Sequence, residues 1–207
     1  VNAFNEAYPG ANLRREEIEF SHWGYVPASR SDSGDLLRKE VVLDHSDRGF
    51  AGMMTVIGVK YTTARAVAER VVDDLVRILK RDCPPSQTAT IPLAGGHIEN
   101  LNEFIFSFCA KQPPDLDEKT LLRLIYNYGT RAGEVIEILS EDVLAASSLN
   151  SRVWQAEALY ANRHEMAERL VDVVFRRTEL GSFGRPDPEI LGEICGLMAR
   201  EKGWDAT

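Results

Sequence analysis

The sequence is poor in cysteine. Cys83, Cys109 and Cys195 stand far apart in 207 residues and form no CxxC or other metal-ligand spacing. That excludes a disulfide framework and a zinc ribbon, and it fits a reducing compartment. No stretch approaches the roughly 18–20 apolar residues of a membrane-spanning helix. There is no block of about five or six like charges and no basic stripe, and the formal net charge is −8. A nucleic-acid backbone is therefore excluded as a partner, because such binding needs clustered cations. A small anionic ligand is not excluded, since a few local cations suffice. No repeat of fixed period and no low-complexity tract is present. No signal-peptide pattern opens the chain, and "VNAFNEAYPG" reads as the interior of a helix running into a turn. The expectation is a chain cut from something longer.

What is there is ordinary globular material: 44% hydrophobic and 27% charged residues, enough to bury a core without metal or disulfide. Residues 1–8 read as a helix ended by Pro9-Gly10. "REEIEFSHWGYVP" moves from charge into a strand ending near Gly24–Val26. "LLRKEVVLDH" is a second strand, "DRG" at 47–49 a turn, and "FAGMMTVIG" a third strand, apolar enough to be buried. The period changes at Thr62. Ala68, Val71, Val72, Leu75, Val76 and Leu79 then follow one helix face, with Thr62 or Thr63 as its N-cap. "KRDCPPSQT" ends this helix and opens a linker.

Every later periodic stretch reads helical. One helix covers 98–110. Asp115 or Asp117 caps the next, which carries Leu121, Leu124, Ile125 and Tyr128 and stops at Gly129. Val135, Ile136 and Leu139 mark a short helix. "RVWQAEALYANRHEMAERLVDVVFRRTEL" holds one or two helices ending at Gly181. Asp187-Pro188-Glu189 starts the last, with a cap, a proline at the first turn and an acid on the dipole. The fold class is α+β, mainly α: a few strands within residues 1–82, then an all-α domain over 91–207.

The stretch "TVIGVKYTTARAVA" at 55–68 places a lysine and two hydroxyls where a strand turns into a helix. "GVKYTTARAVAE" resembles the Gly-Gly-Lys-x-Thr-Thr-x-Arg segment of FAD-dependent glycerol-3-phosphate dehydrogenases. "LAGG" at 93–96 resembles that family's Leu-Pro-Gly-Gly, and "YGTRAGEVIEIL" its Tyr-Gly helix start. "EALYANRHEMAERLVDVVFRRTELG" is similar to its C-terminal Glu…Asp…Arg-Arg-Thr helix. In this order over residues 1 to about 185, the motifs are specific as a set.

The resemblance implies the C-terminal part of such an enzyme: the last strands of the flavin-binding and substrate domain, then the helical domain. It implies FAD in the intact parent, with glycerol 3-phosphate and a quinone as partners and no nucleic acid. It also implies a cytoplasmic location, peripheral at the inner membrane, and leaves a homodimer open. It assigns Arg38 and Lys60 to substrate, and Gly58, Lys60, Thr62 and Thr63 to the flavin-contacting turn. No metal and no confirmed catalytic residue follow. Val26, in "GYVP", stands where the family carries a third substrate arginine, with Arg30 the nearest replacement, and Val59 replaces the second glycine. A related flavoenzyme with a changed substrate is therefore one alternative, and a helical docking or dimerisation module is another. No G-x-G-x-x-G run occurs, so the pyrophosphate cradle of a flavin domain is missing. The chain alone is expected to be inactive and to hold no flavin.

Several patterns are set aside. "HEMAE" at 164–168 lacks the second histidine of H-E-x-x-H, and His22, His45 and His97 share no ligand spacing. "LAGG" is not followed by Lys-Ser/Thr and is no P-loop. Arg176 and Arg177 fit the C-terminal dipole of a helix, and Trp23, Trp154 and Trp204 fit core or interface.

Overall fold

The computed structural model describes residues 1–29, 34–113, 115–144 and 148–204. The fold is mainly helical, with one small two-stranded antiparallel sheet among the described residues. Two compact units form: His22–Pro92, and Val1–Ser21 together with Leu93–Thr207. No helix among the described residues is long and apolar enough to cross a membrane.

In the larger unit, α1 (Asn2–Ala7) is short and ends before the Pro9-Gly10 turn. The Asn5 amide then brackets Leu13, donating to its carbonyl at 2.7 Å and accepting its N–H at 2.8 Å. The expected strand beginning near Arg15 does not form. Arg15–Glu17 is a 3₁₀ turn, and the following residues form no ladder. The first pairing after them among the described residues, before the strand Val41–Asp44, is an isolated bridge, Ala28 with Leu36. An apolar run becomes a strand only where an edge pairs with it.

The helical core is built from α3 (Leu101–Cys109), α4 (Glu118–Tyr128), α5 (Ala132–Ile138), α6 (Leu149–His164) and α8 (Pro188–Lys202). The starts of α3, α4, α6 and α8 follow capping chemistry, while α5 follows a 3₁₀ turn and has no side-chain cap. Asn100 accepts from Asn102 and Glu103, Asp117 from Thr120 at 2.7 Å, Ser148 from Ser151, and Asp187 from Glu189. Leu121, Leu124, Ile125 and Tyr128 are the buried face of α4, as their spacing requires. They pack with Val135, Ile136, Leu144, Leu159 and Tyr160 in one cluster, while Ala158, Ala161, Val173, Ile194 and Met198 form a second. The long "RVWQ…" region is broken after His164, where Met166 adopts φ 58. It resumes as α7 (Leu170–Asp172), which runs into a π-turn over Val173–Arg177.

In the smaller unit, β1 (Val41–Asp44) and β2 (Met54–Ile57) pair antiparallel, with Val41 opposite Ile57 and Asp44 opposite Met54. A 3₁₀ turn at Ser46–Arg48 and Gly49 at φ 86 reverse the chain. Asp44 supports that turn by accepting from the Ser46 N–H at 2.9 Å and its hydroxyl at 2.6 Å. After β2 come a 3₁₀ turn, Tyr61–Thr63, and α2 (Ala64–Ile78). The expectation of a buried third strand is corrected: β2 is half-exposed, with Val56 open to solvent. Val67 is the one buried residue among the described residues of this unit. A single hairpin and one helix do not enclose a core.

Candidate functional site

The turn between β2 and α2 carries most of the residues singled out in the sequence. Gly58, Lys60 and Thr62 are exposed, and Thr63 is half-buried. Neither threonine caps α2. The Thr63 hydroxyl turns back to the Lys60 carbonyl at 3.2 Å, so no side chain among the described residues caps the N-terminus of this fifteen-residue helix. The reason is the 3₁₀ turn, which places Thr63 in helical rather than extended backbone, where a capping hydroxyl cannot reach forward. Gly58 and Val59 both lie outside the left-handed region. Val59 is therefore unstrained in the position where the related motif has glycine.

Arg38 is exposed and lies before β1 rather than on it, in a bend at Arg38–Lys39. The hairpin nevertheless relates it to Lys60. Each stands three residues beyond the terminal ladder pair, Val41 with Ile57, so both flank the same end of the sheet. A cleft of about 420 Å³ beside Lys60 is lined by Tyr25, Gly58, Val59, Lys60, Tyr61 and Ala64. Arg38 is outside that lining. A second, apolar cleft of about 370 Å³ lies between β2 and the start of α2, floored by Val56, Val67 and Val71. Tyr25 is 94% exposed and Tyr61 100%. Trp23 packs edge-on against Tyr25, with ring centroids 5.7 Å apart. Val26 is 64% exposed. Arg30 lies outside the described residues. Chemically, this end of the hairpin offers two cations and flat apolar surface, a combination suited to an anion attached to a planar group.

One residue of the same segment was passed over in the sequence reading. Arg65 donates to Glu69 at 2.8 Å and to the Thr88 hydroxyl at 3.3 Å. It ties the linker to α2. The other quoted motifs lie in the helical unit, and they prove to be one packing arrangement. Gly95 has φ 81 and Gly129 φ 57, and the two backbones touch. The Thr130 N–H donates to the Gly95 carbonyl at 2.9 Å. A Cβ on Gly129 would stand 2.0 Å from that carbonyl oxygen, and one on Gly95 would stand 2.3 Å from the Tyr128 carbonyl oxygen. "LAGG" and "YGTR" are thus the two halves of a backbone-to-backbone contact.

Tyr128 also reaches Glu157, the first residue of "EALY". Glu157 is fully buried; it accepts from Arg123 at 2.9 and 2.6 Å and from the Tyr128 hydroxyl at 3.1 Å. The Arg123 guanidinium lies 4.1 Å from the Trp154 ring centroid. Burial pushes the Glu157 carboxyl up, against the pull of the guanidinium and the phenol. Burial also raises the Tyr128 phenol well above its ordinary value. The groups satisfy one another. Arg176 pairs with Asp172 at 2.9 Å. No cluster able to hold a metal ion is present among the described residues.

Residues 86–207 match the family described as the C-terminal domain of alpha-glycerophosphate oxidase. The chain belongs to that family. Its relatives include a glycerol-3-phosphate dehydrogenase of Synechocystis, 30% identical over 97% of this chain and 37% of its own length. The glycerol-3-phosphate dehydrogenase of Pseudomonas aeruginosa is 27% identical over 86% of this chain and 35% of its own length. The aerobic glycerol-3-phosphate dehydrogenase of Bacillus subtilis is 28% identical, over 86% and 34% respectively. The chain of this alpha-glycerophosphate oxidase-type family thus spans little more than a third of these relatives. The family domain itself begins after the Lys60 turn, while the Synechocystis match covers nearly the whole chain.

Proposed function

We propose that this chain supplies one side of the substrate and flavin site, together with the helical C-terminal part, of an FAD-dependent dehydrogenase. The reaction is oxidation of sn-glycerol 3-phosphate to dihydroxyacetone phosphate. The observation that carries this reading is the hairpin register, which sets Arg38 and Lys60 at one end of the sheet beside an uncapped helix N-terminus. FAD, when bound, would supply the acceptor for the hydride from the C2 carbon and the route of the electrons to a quinone, a partner that would put the enzyme at a membrane surface. The residues here hold and orient. Lys60 is a compact point charge, and Arg38 has the forked geometry that suits a phosphate. Gly58, Thr62 and Thr63 form the turn that would meet the edge of the ring.

The residues fit such a group along one edge. Gly58 is exposed, and a Cβ built on it would meet nothing within 4 Å, which leaves room for a flat ring. The sequence carries no G-x-G-x-x-G run of the kind that cradles a pyrophosphate. The bare apolar surface of the smaller unit, where Val67 alone is buried among the described residues, supports its being the margin of a larger domain. In the full-length protein that carries this sequence, Lys60→Met should raise KM for glycerol 3-phosphate by about tenfold or more, the loss of one charged hydrogen-bonding group. An unchanged KM would overturn the assignment. Val26 favours a second reading, a related enzyme acting on a different alcohol. In that case Val26→Arg lowers activity on the true substrate, by placing an unpaired cation in its site.

A further inference from the structure

Arg38 lies on no strand, yet its segment is tied on both sides. On one side the Leu37 N–H donates to the Pro27 carbonyl at 3.0 Å, next to the bridge between Ala28 and Leu36. On the other side, Glu40 accepts from the Arg70 guanidinium of α2. Arg38 and Lys39 form the bend between these two ties. The ladder itself begins only at Val41. The Glu40 carboxylate therefore provides the contact that joins this bend to α2, the helix that starts four residues after Lys60. Its carboxyl is held below the ordinary value, chiefly by the Arg70 hydrogen bond. The Glu40 side chain is 19% exposed while that of Arg70 is 62% exposed, so the acid is the more enclosed partner.

We propose that the Glu40–Arg70 pair is a positioning device that sets Arg38 against Lys60 for recognition of the substrate's phosphate. This rests on the reading of Arg38 and Lys60 given above. Neither member of the pair touches substrate. Each acts by fixing a bend that has no ladder hydrogen bonds of its own. An ångström-scale shift of a binding group weakens recognition far more than it weakens the fold.

The test uses steady-state kinetics on glycerol 3-phosphate with the full-length protein that carries this sequence. Glu40→Gln should raise KM about three- to tenfold and leave kcat within about twofold. The exchanged pair, Glu40→Arg with Arg70→Glu, should recover most of that loss and keep the thermal midpoint near the parent value. In an Arg38→Ala background, Glu40→Gln should raise KM no further, because the contact it positions is gone. Equal effects of Glu40→Gln in the parent and in the Arg38→Ala background, or no effect in the parent, would overturn the proposal. If Arg38→Ala alone leaves KM unchanged, the proposal also falls. Lys60→Met then decides separately whether the substrate site stands.

Discussion

Replacing Gly129 with alanine should be among the most damaging single-methyl changes in the helical unit. The magnitude follows from two features of the Gly95–Gly129 contact. At φ 57 and ψ −129, Gly129 occupies backbone space that an L residue enters at a cost of about 1–3 kcal/mol. The added Cβ would also lie 2.0 Å from the Gly95 carbonyl oxygen. Relief requires the two backbones to separate by about an ångström, because real carbon–oxygen contacts lie well beyond 3 Å. Separation lengthens the Thr130–Gly95 hydrogen bond from 2.9 Å, and losing it costs about a further 1 kcal/mol. The sum is about 2–4 kcal/mol, a large share of a typical total of about 5–15 kcal/mol. Gly192→Ala is the control. It lies in α8, an added Cβ there meets nothing within 4 Å, and alanine is the better helix former by about 1 kcal/mol. Urea unfolding followed by tryptophan fluorescence would measure both. The expected result is a midpoint lowered by about 1–3 M for Gly129→Ala and held or raised for Gly192→Ala. Equal midpoints for the two variants would refute the interlock.

Truncating Arg123 to alanine should cost about 3–5 kcal/mol by stranding the buried Glu157 carboxylate, whereas Arg123→Met with Glu157→Leu should recover most of it; denaturant midpoints of the three proteins decide this. The Asp117 cap holds its carboxyl below the ordinary 3.8, first through the Thr120 N–H. A depressed folded value means that the stabilisation is complete above pH 3.8 and fades as pH falls through the lower folded value. Asp117→Asn should therefore flatten the acid limb of a thermal-midpoint profile below pH 3.8, and an unchanged limb would count against the cap. Limited proteolysis should cut first within residues 82–90, where every residue is exposed and the Arg65–Thr88 bond is the tie to α2. First cleavage inside α4 or α6 would show that the linker is better held than its contacts suggest.

Much of the helical half was legible in the sequence, because its signals are local. The apolar spacing of Leu121, Leu124, Ile125 and Tyr128, the Asp117 and Asp187 caps and the Gly129 stop all act within one or two turns, and they formed as read. The strands were less legible. The Arg15–Val26 run has strand composition, but a ladder needs a partner at long range, and pattern alone does not supply one. The same limit applied to Thr63, whose hydroxyl was free to cap α2 until the 3₁₀ turn directed it backward to Lys60. The sequence by itself determined which residue types stand at the strand-to-helix turn, and through its motifs it indicated the family. Only the tertiary structure decided that Arg38 and Lys60 share one end of a hairpin, that Arg65 holds the linker, and that two glycine motifs meet. Register and backbone contact join residues far apart in the chain, and no local preference encodes such a distance.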